Sequence, residues 1–369
     1  MEKTFIKNRK ELREYLESVM TKTYEKLREE YELEYGQNLL KTYIIESHLS
    51  SPSNIPKLKD YGMSLSKTGD TTLHVLNVVR DDLRGTFYVD TFNPRFWLLH
   101  TTDRSLFTDR FIKKMVSTTM NSLDHPWLWT QFLENLGEQG IFRGLSLKYD
   151  DIFVEDDEEK IPVKTLSMRL WGTVASRVLN ILKEDKELRH AVSLSGIGIK
   201  RYFDEESFVI DDISFWGKFT AKGTSIDGHF HILSGIKKDY ESVIKRIEDE
   251  YAITYTKFET GFRFRGSPLT IILKKEIEDL NLFLKELLAA RKPFRIWGVT
   301  KFLDKDFVKV CATDLHNGDN IDLEISSQWI RIYLPHGSCG NTVLRLFTNI
   351  QRYYDSEATL EGIENERIV

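Results

Sequence analysis

From about Thr71 to Tyr354 the sequence repeats one arrangement: two or three alternating strand-like segments, a tight turn and one amphipathic helix. Consecutive strands with no helix between them pair antiparallel, whereas parallel strands need a long crossover connection. The pattern therefore predicts an α+β fold of repeated antiparallel β-hairpins and meanders, each followed by an amphipathic helix. It argues against doubly wound nucleotide-binding folds and the TIM barrel, which place a helix after nearly every strand.

A long N-terminal helix is predicted to precede the repeated region. Asn8 can cap this helix, which we expect to continue to about His48. Its apolar stripe, at spacings of three and four, consists of Leu12, Leu16, Val19, Met20, Tyr24, Leu27 and Tyr31. One interpretation is a docking arm that binds a protein partner or a second copy of the chain. The other is a helix packed on its own sheet.

The length of 369 residues exceeds that of a usual single core and favours two domains. We expect an N-terminal helical arm over residues 1–50, a first α+β domain over 57–188 and a second over 189–369. The boundary near residue 188 follows a charged run, Lys183–Glu187, that separates a helix from the longest meander.

Charge and cysteine content restrict the class of protein further. The formal net charge of −5 argues against a protein that coats nucleic acid by charge alone, although a local basic surface is compatible with it. Two cysteines in so long a chain fit a reducing compartment. No apolar run reaches the roughly 18 residues that a membrane span needs. These features predict a cytoplasmic protein, prokaryotic in style, without a membrane association.

An acidic segment offers the first candidate set of catalytic residues. Asp150 and Asp151 are followed by Glu158 and Lys160, which have the Glu-x-Lys spacing of many metal-dependent nucleases. In such enzymes carboxylates hold a divalent ion, and the lysine polarises the attacking water. The neighbouring acidic residues and Pro162 favour a solvated hairpin tip instead.

Asp227, His229 and His231 form the second candidate set. We predict a strand over Ser225 to Leu233, on which alternate residues share one face. Two imidazoles and a carboxylate on that face could bind a metal ion such as zinc, or act as acid and base on a phosphate. The same alternation also fits a strand whose apolar residues are buried and whose histidines merely face solvent.

The third candidate set is a basic and aromatic segment that comprises Lys257, Phe262, Arg263, Phe264 and Arg265. We expect Phe258, Phe262 and Phe264 to share one strand face and the three cations to share the other. Aromatic rings on an open sheet face can stack nucleic-acid bases while arginines contact phosphates. The simpler alternative is a strand with one core face and one solvent face.

Two classes of function remain open. The sequence lacks the glycine-rich loops of ATPases and dinucleotide enzymes, a Cys-x-x-Cys pair and a Gly-x-Ser-x-Gly elbow. We expect a non-catalytic binding or scaffold subunit of a cytoplasmic prokaryotic complex, with no cofactor and with nucleic acid as a candidate ligand. The alternative is a nuclease or phosphodiesterase that uses a divalent metal ion and the Asp-x-His-x-His strand.

Overall fold

The computed structural model describes residues 6–33, 37–56, 58, 62–80, 83–119, 121–154, 163–363 and 366–369. Its contacts divide the chain into two compact units. Unit 1 comprises residues 1–126, 137–141 and 198–237, and unit 2 comprises residues 127–136, 142–197 and 238–369. Each unit is therefore assembled from three separate stretches of the chain.

The described helices and strands alternate in groups along the chain. The helices are α1 (Arg9–Glu29), α2 (Ser105–Thr118), α3 (Thr130–Glu138), α4 (Ala175–Glu184), α5 (Ile226–Arg246), α6 (Leu280–Leu287) and α7 (Asn341–Tyr353). The first eleven strands are β1 (Leu40–Ser47), β2 (Met63–Lys67), β3 (Leu73–Arg80), β4 (Leu83–Asp90), β5 (Phe96–Thr101), β6 (Leu123–Asp124), β7 (Ile141–Asp150), β8 (Thr165–Trp171), β9 (Leu194–Tyr202), β10 (Phe208–Ser214) and β11 (Lys218–Gly223). The others are β12 (Thr254–Phe258), β13 (Gly261–Arg265), β14 (Leu269–Ile272), β15 (Ile296–Asp304), β16 (Phe307–Asp314), β17 (Asn320–Ser326), β18 (Trp329–Tyr333) and β19 (Thr359–Glu361).

The predicted α+β class is confirmed. Groups of two or more strands are each followed by a helix: β2 to β5 by α2, β7 and β8 by α4, and β9 to β11 by α5. The same holds for β12 to β14 with α6 and for β15 to β18 with α7. The strand pairs whose registers are described are antiparallel, as hairpins and meanders require. Within the described ranges, no helix combines the length and apolarity needed to cross a membrane.

Unit 1 is built around an antiparallel sheet with the strand order β2-β3-β4-β5-β1-β11-β10, and β6 pairs with β1 beside this row. One apolar cluster fills the space between this sheet and α2. Its largest members include Tyr43, Phe87, Trp97, Ile112, Met115 and Trp216. Burial of side chains of this size contributes about 1.5–3 kcal/mol each, so the cluster is the main source of stability on this face.

The N-terminal helix α1 packs on β1 and β11 of its own unit. Asn8 caps the helix as predicted, because its side chain accepts a hydrogen bond from the backbone N–H of Glu11 at 2.9 Å. Leu12, Leu16 and Met20 are at most 4% exposed, so the centre of the predicted apolar stripe is buried within unit 1. The charged residues on the opposite side of α1 remain at the surface.

The prediction that α1 continues to His48 is wrong. The helix ends at Glu29, and Leu40–Ser47 is a strand with all eight residues buried, between β5 and β11 in the sheet. A strand covered on both faces lacks the alternation of apolar and polar residues that identifies half-buried strands. Its apolar run is therefore equally compatible with a helix. Its buried charges are accommodated: Glu46 pairs with Arg95 at 2.8 Å, and Lys41 donates to the Asp103 carbonyl at 2.6 Å.

Unit 2 contains a second antiparallel sheet with the order β15-β16-β17-β18-β14-β19, a separate β12–β13 hairpin, and the pair formed by β8 and residues 142–150 of β7. Helix α7 lies inside this unit, and every residue from Asn341 to Arg352 is buried. Such burial requires partners for its polar side chains. Arg345 forms a buried ion pair with Asp314, whose carboxylate also accepts from the Thr342 hydroxyl at 3.2 Å.

Candidate functional site

The β12–β13 hairpin carries the basic and aromatic residues of the third candidate set. Residues Glu259 and Thr260 form its turn, and Phe258 pairs with Gly261, whose φ of +151° suits glycine. At the base of the hairpin, the N–H of Ile253 donates to the Leu334 carbonyl at 2.7 Å, and the N–H of His336 donates back to Ile253 at 2.9 Å. These bonds anchor the hairpin to the chain that leaves β18.

The register of the hairpin corrects the predicted assignment of its two faces. Tyr255 is opposite Phe264, and Lys257 is opposite Phe262, so these four side chains share one face. The two-residue turn pairs odd-numbered residues of β12 with even-numbered residues of β13. Phe258 therefore lies on the other face, together with Arg263 and Arg265. The prediction that all three cations oppose the aromatic rings is wrong for Lys257.

Both faces of this hairpin are exposed to solvent, contrary to the expectation of a core face and a solvent face. Tyr255, Phe262 and Phe264 are 64%, 59% and 70% exposed. The ring centroids of Tyr255 and Phe262 are 5.6 Å apart, and those of Tyr255 and Phe264 are 6.3 Å apart. The three rings form one patch, which we call the aromatic face of the hairpin, with Lys257 beside it.

The charge on the hairpin is positive although the chain is acidic overall. Its strands and turn contain three cations, Lys257, Arg263 and Arg265, and one carboxylate, Glu259. Among the residues that the structure describes, no salt bridge involves these three cations. Exposed cations without carboxylate partners are available to an anionic ligand, and their attraction falls as salt concentration rises.

The structure does not bring Asp227, His229 and His231 together. These residues lie in α5, so the predicted strand over Ser225 to Leu233 is wrong. Residues two apart on a helix point to different sides. His229 is buried, His231 is exposed next to Phe203, and Asp227 forms an ion pair with Arg13.

The helical period explains why this segment is not a strand. Buried apolar residues recur at the helical spacings of three, four and seven: Ile226, Leu233, Ile236, Tyr240 and Ile244. Ser225 caps the start of the helix, because its hydroxyl accepts a hydrogen bond from the Gly228 N–H at 3.0 Å. The Asp-x-His-x-His alternation covers only five residues, whereas the helix extends over 21. The longer, helical pattern is the one that correctly predicts the structure of this segment.

His229 belongs instead to a buried polar chain in unit 1. Its Nδ1 lies 2.9 Å from Asp211 Oδ1, and its Nε2 lies 2.9 Å from the Thr42 hydroxyl. Thr42 in turn lies 2.9 Å from Nδ1 of His100, its partner across β1 and β5. All four residues are at most 2% exposed. We call this arrangement the buried histidine chain.

The hydrogen bonds of the buried histidine chain balance in one arrangement of protons. His229 Nδ1–H donates to Asp211, the Thr42 hydroxyl donates to His229 Nε2, and the Thr42 oxygen accepts from His100 Nδ1–H. Burial lowers the pKa of His100 to about 3, which keeps its imidazole neutral. The neutral form is the one that this arrangement requires.

The order carboxylate, imidazole, hydroxyl also occurs in nucleophilic triads. A nucleophilic hydroxyl must reach substrate, whereas Thr42 is 0% exposed and is held by both imidazoles. The buried histidine chain therefore satisfies buried polar groups, and its geometry supports a structural role rather than catalysis.

The acidic candidate set is only partly within the described structure. Glu158 and Lys160 lie outside the described residues. Asp151 is fully buried, accepts from the Tyr149 hydroxyl at 3.1 Å and pairs with Lys275. A carboxylate paired in this way is already neutralised by the protein.

Sequence reasoning missed Tyr255 as a member of the aromatic face. Its ring precedes the segment that carries the arginines, and only the pairing across the turn brings it next to Phe262. The signal available in the sequence was the Glu259-Thr260-Gly261 turn, because a two-residue loop fixes which residues are opposite one another.

Fold and site together describe a two-unit α+β protein that displays an aromatic and basic β-hairpin on one unit. The chain belongs to the MJECL33-like protein family, and the match to that family covers residues 1–369. It is 35% identical over 393 aligned positions to the uncharacterized protein MJECL33 of Methanocaldococcus jannaschii. That alignment covers 96% of this chain and 94% of the relative, so the similarity extends over both units.

Proposed function

We propose that the chain is a non-catalytic binding protein that holds single-stranded nucleic acid on the β12–β13 hairpin. The observation that carries the proposal is the aromatic face: three rings, each more than half exposed, beside Lys257 on a hairpin with solvent on both sides. Exposed aromatic rings with adjacent cations are the common solution for binding single strands.

Each part of the hairpin has a distinct role in this proposal. Bases stack on Tyr255, Phe262 and Phe264, because every base offers a flat apolar surface to a ring. Lys257, Arg263 and Arg265 attract the phosphates on either side of the stacked bases. The chain as a whole is acidic and does not attract phosphates, so binding of nucleic acid depends on the residues of the hairpin.

The alternative of a metal-dependent nuclease at Asp227, His229 and His231 has less support. Both ring nitrogens of His229 are occupied by Asp211 and Thr42, and His231 lies on another side of the helix. No observation in this segment favours a nuclease over the role of His229 in the buried histidine chain.

The test is fluorescence anisotropy with a labelled oligothymidine of about 15 nucleotides, near the upper site size of small single-strand-binding folds. We expect Phe262→Ala and Phe264→Ala each to weaken binding by about 5- to 150-fold, which corresponds to about 1–3 kcal/mol for each base that no longer stacks. Phe258→Ala is the matched control, because Phe258 is 51% exposed on the opposite face of the same hairpin. This control should change the affinity by less than about twofold.

A second measurement separates the roles of rings and cations. Arg263→Glu combined with Arg265→Glu should weaken binding and also reduce the salt dependence, by about 0.7 in the log–log slope for each phosphate that the variant no longer neutralises. The ring variants should leave that slope unchanged. Equal affinity for wild type, the ring variants and the arginine variant would refute the proposal.

A further inference from the structure

His190, Asp355 and Glu357 meet in unit 2, at a place that neither the hairpin nor the buried histidine chain involves. Each offers one metal-ligating atom, and these atoms lie within 4.8 Å of one another. His190 belongs to a short 3-10 turn before β9, whereas the two carboxylates follow the end of α7. We call these three residues the His190 cluster.

The spacing within the His190 cluster fits a shared ion. His190 Nδ1 is 3.0 Å from Glu357 Oε2 and 3.5 Å from Asp355 Oδ1. Nitrogen and oxygen ligands bind zinc at about 2.0–2.2 Å, so two ligands on one ion are separated by about 3.0 Å at a right angle and by about 3.4 Å at a tetrahedral angle. The two observed separations correspond to these values.

Two of the three ligating atoms make no hydrogen bond among the described residues, and one of them forms an ion pair with Arg189. His190 Nδ1 and Glu357 Oε2 are buried, and neither has a hydrogen-bond partner within the described part of the chain. The side chains as a whole are 25% and 32% exposed, so an ion can reach them from solvent. Buried polar atoms are nearly always satisfied, so two adjacent buried atoms without a hydrogen bond are available to a shared ligand.

The surrounding structure holds the cluster in place. Asp355 is fully buried, and its Oδ2 accepts hydrogen bonds from the backbone N–H groups of Lys274 and Lys275 at 2.6 and 3.0 Å. The Ser356 N–H donates to the His190 carbonyl at 2.9 Å and so joins the two segments directly. Supporting hydrogen bonds of this kind orient metal ligands. The negative end of the α7 dipole further favours a cation there.

We propose that His190, Asp355 and Glu357 bind one divalent transition-metal ion of the zinc and manganese class. One imidazole and two carboxylates, with no thiolate, suit these ions better than copper(I) or calcium. Arg189 is the competing cation: its Nε lies 3.3 Å from Glu357 Oε2, and its side chain is 45% exposed and free to turn toward solvent. Three protein ligands leave further coordination positions for water.

The test is the binding of Zn²⁺ alone to the full chain after treatment with a chelator, measured by calorimetry and by competition with a chromophoric chelator. We expect one ion per chain, and His190→Ala and Glu357→Gln each to weaken binding by at least about tenfold. His336→Ala is the control, since His336 is an exposed histidine of the same unit. Arg189→Gln should tighten binding, because it removes the competing charge. That direction of change is not expected from damage to the fold.

X-ray absorption of the zinc-loaded chain identifies the ligands independently. The proposal predicts one imidazole, carboxylate or water oxygens and no sulfur around the ion. Sulfur in the first coordination sphere would assign the ion to Cys311 or Cys339 and overturn the proposal. Equal zinc affinity in wild type and in folded Glu357→Gln, or the absence of stoichiometric binding, would overturn it as well.

Discussion

Thr42 is the most informative position for a test of the buried histidine chain. Its hydroxyl makes two hydrogen bonds of 2.9 Å, to His229 and to His100, at a site with no solvent exposure. Thr42→Val keeps the shape of the side chain and removes both bonds. It leaves an acceptor on one imidazole and an N–H on the other without partners.

The expected magnitude follows from those two unsatisfied groups. Each buried polar group without a partner costs about 1–3 kcal/mol, so Thr42→Val should lower the free energy of unfolding by about 2–6 kcal/mol. Thr42→Ser keeps the hydroxyl and removes one methyl group, which costs about 1 kcal/mol. The hydrophobic substitution should therefore be the more damaging one, against the usual order for a buried site.

Native-state hydrogen exchange of peptides that cover β1 and β5, combined with urea unfolding, measures this difference within unit 1. Thr220→Val is the matched control on β11, because Thr220 is only partly buried; it should change stability by less than about 0.5 kcal/mol. If Thr42→Val is as stable as Thr42→Ser, the hydroxyl does not satisfy the two histidines, and the assigned proton arrangement is refuted.

Two further predictions concern buried charge. The pKa of His100 is lowered to about 3 by burial, whereas an unfolded histidine titrates at about 6.5. Between these values the unfolded chain binds more protons than the folded chain, so the free energy of unfolding should fall as the pH drops from about 6.5 to 5. In urea unfolding, His100→Asn should reduce this dependence on pH. An unchanged dependence would contradict the assignment of His100 as a buried neutral imidazole. Asp314→Ala leaves the Arg345 guanidinium buried without its carboxylate and should lower the free energy of unfolding by about 3–5 kcal/mol. The exposed control Asp306→Asn should lower it by less than about 0.5 kcal/mol, with both values measured by chemical denaturation. Equal stability of these two variants would show that Arg345 has another adequate partner.

The sequence predicts the antiparallel α+β class because turn residues and helical periods recur along the chain, and these are local signals. It fails at β1, where Tyr43, Ile44 and Ile45 are buried on both faces and no alternation is visible. It also fails at α5, where the alternation of Asp227, His229 and His231 conceals a longer helical period. The first error comes from a missing pattern and the second from a short pattern within a longer one.

The candidate sites also differ in how much of each could be predicted from the sequence. The hairpin residues were predicted from one continuous segment, and only the turn register was needed to correct their faces. By contrast, the buried histidine chain joins Thr42, His100, Asp211 and His229 from four separate elements. No spacing in the sequence connects them, because tertiary packing alone decides which buried polar groups meet. The His190 cluster was missed for the same reason.

The pairing of β1 with β11 has a consequence for how unit 1 folds. Leu40 is opposite Ala221, whereas the other edge of β1 pairs with β5, far closer along the chain. Contacts between distant segments form slowly, since a long loop must close first. Until β11 pairs with β1, one edge of this apolar strand has unpaired backbone groups. A second, partly folded chain can pair with that edge. Refolding yield should therefore depend strongly on protein concentration, and a chaperone that shields strand edges should raise it.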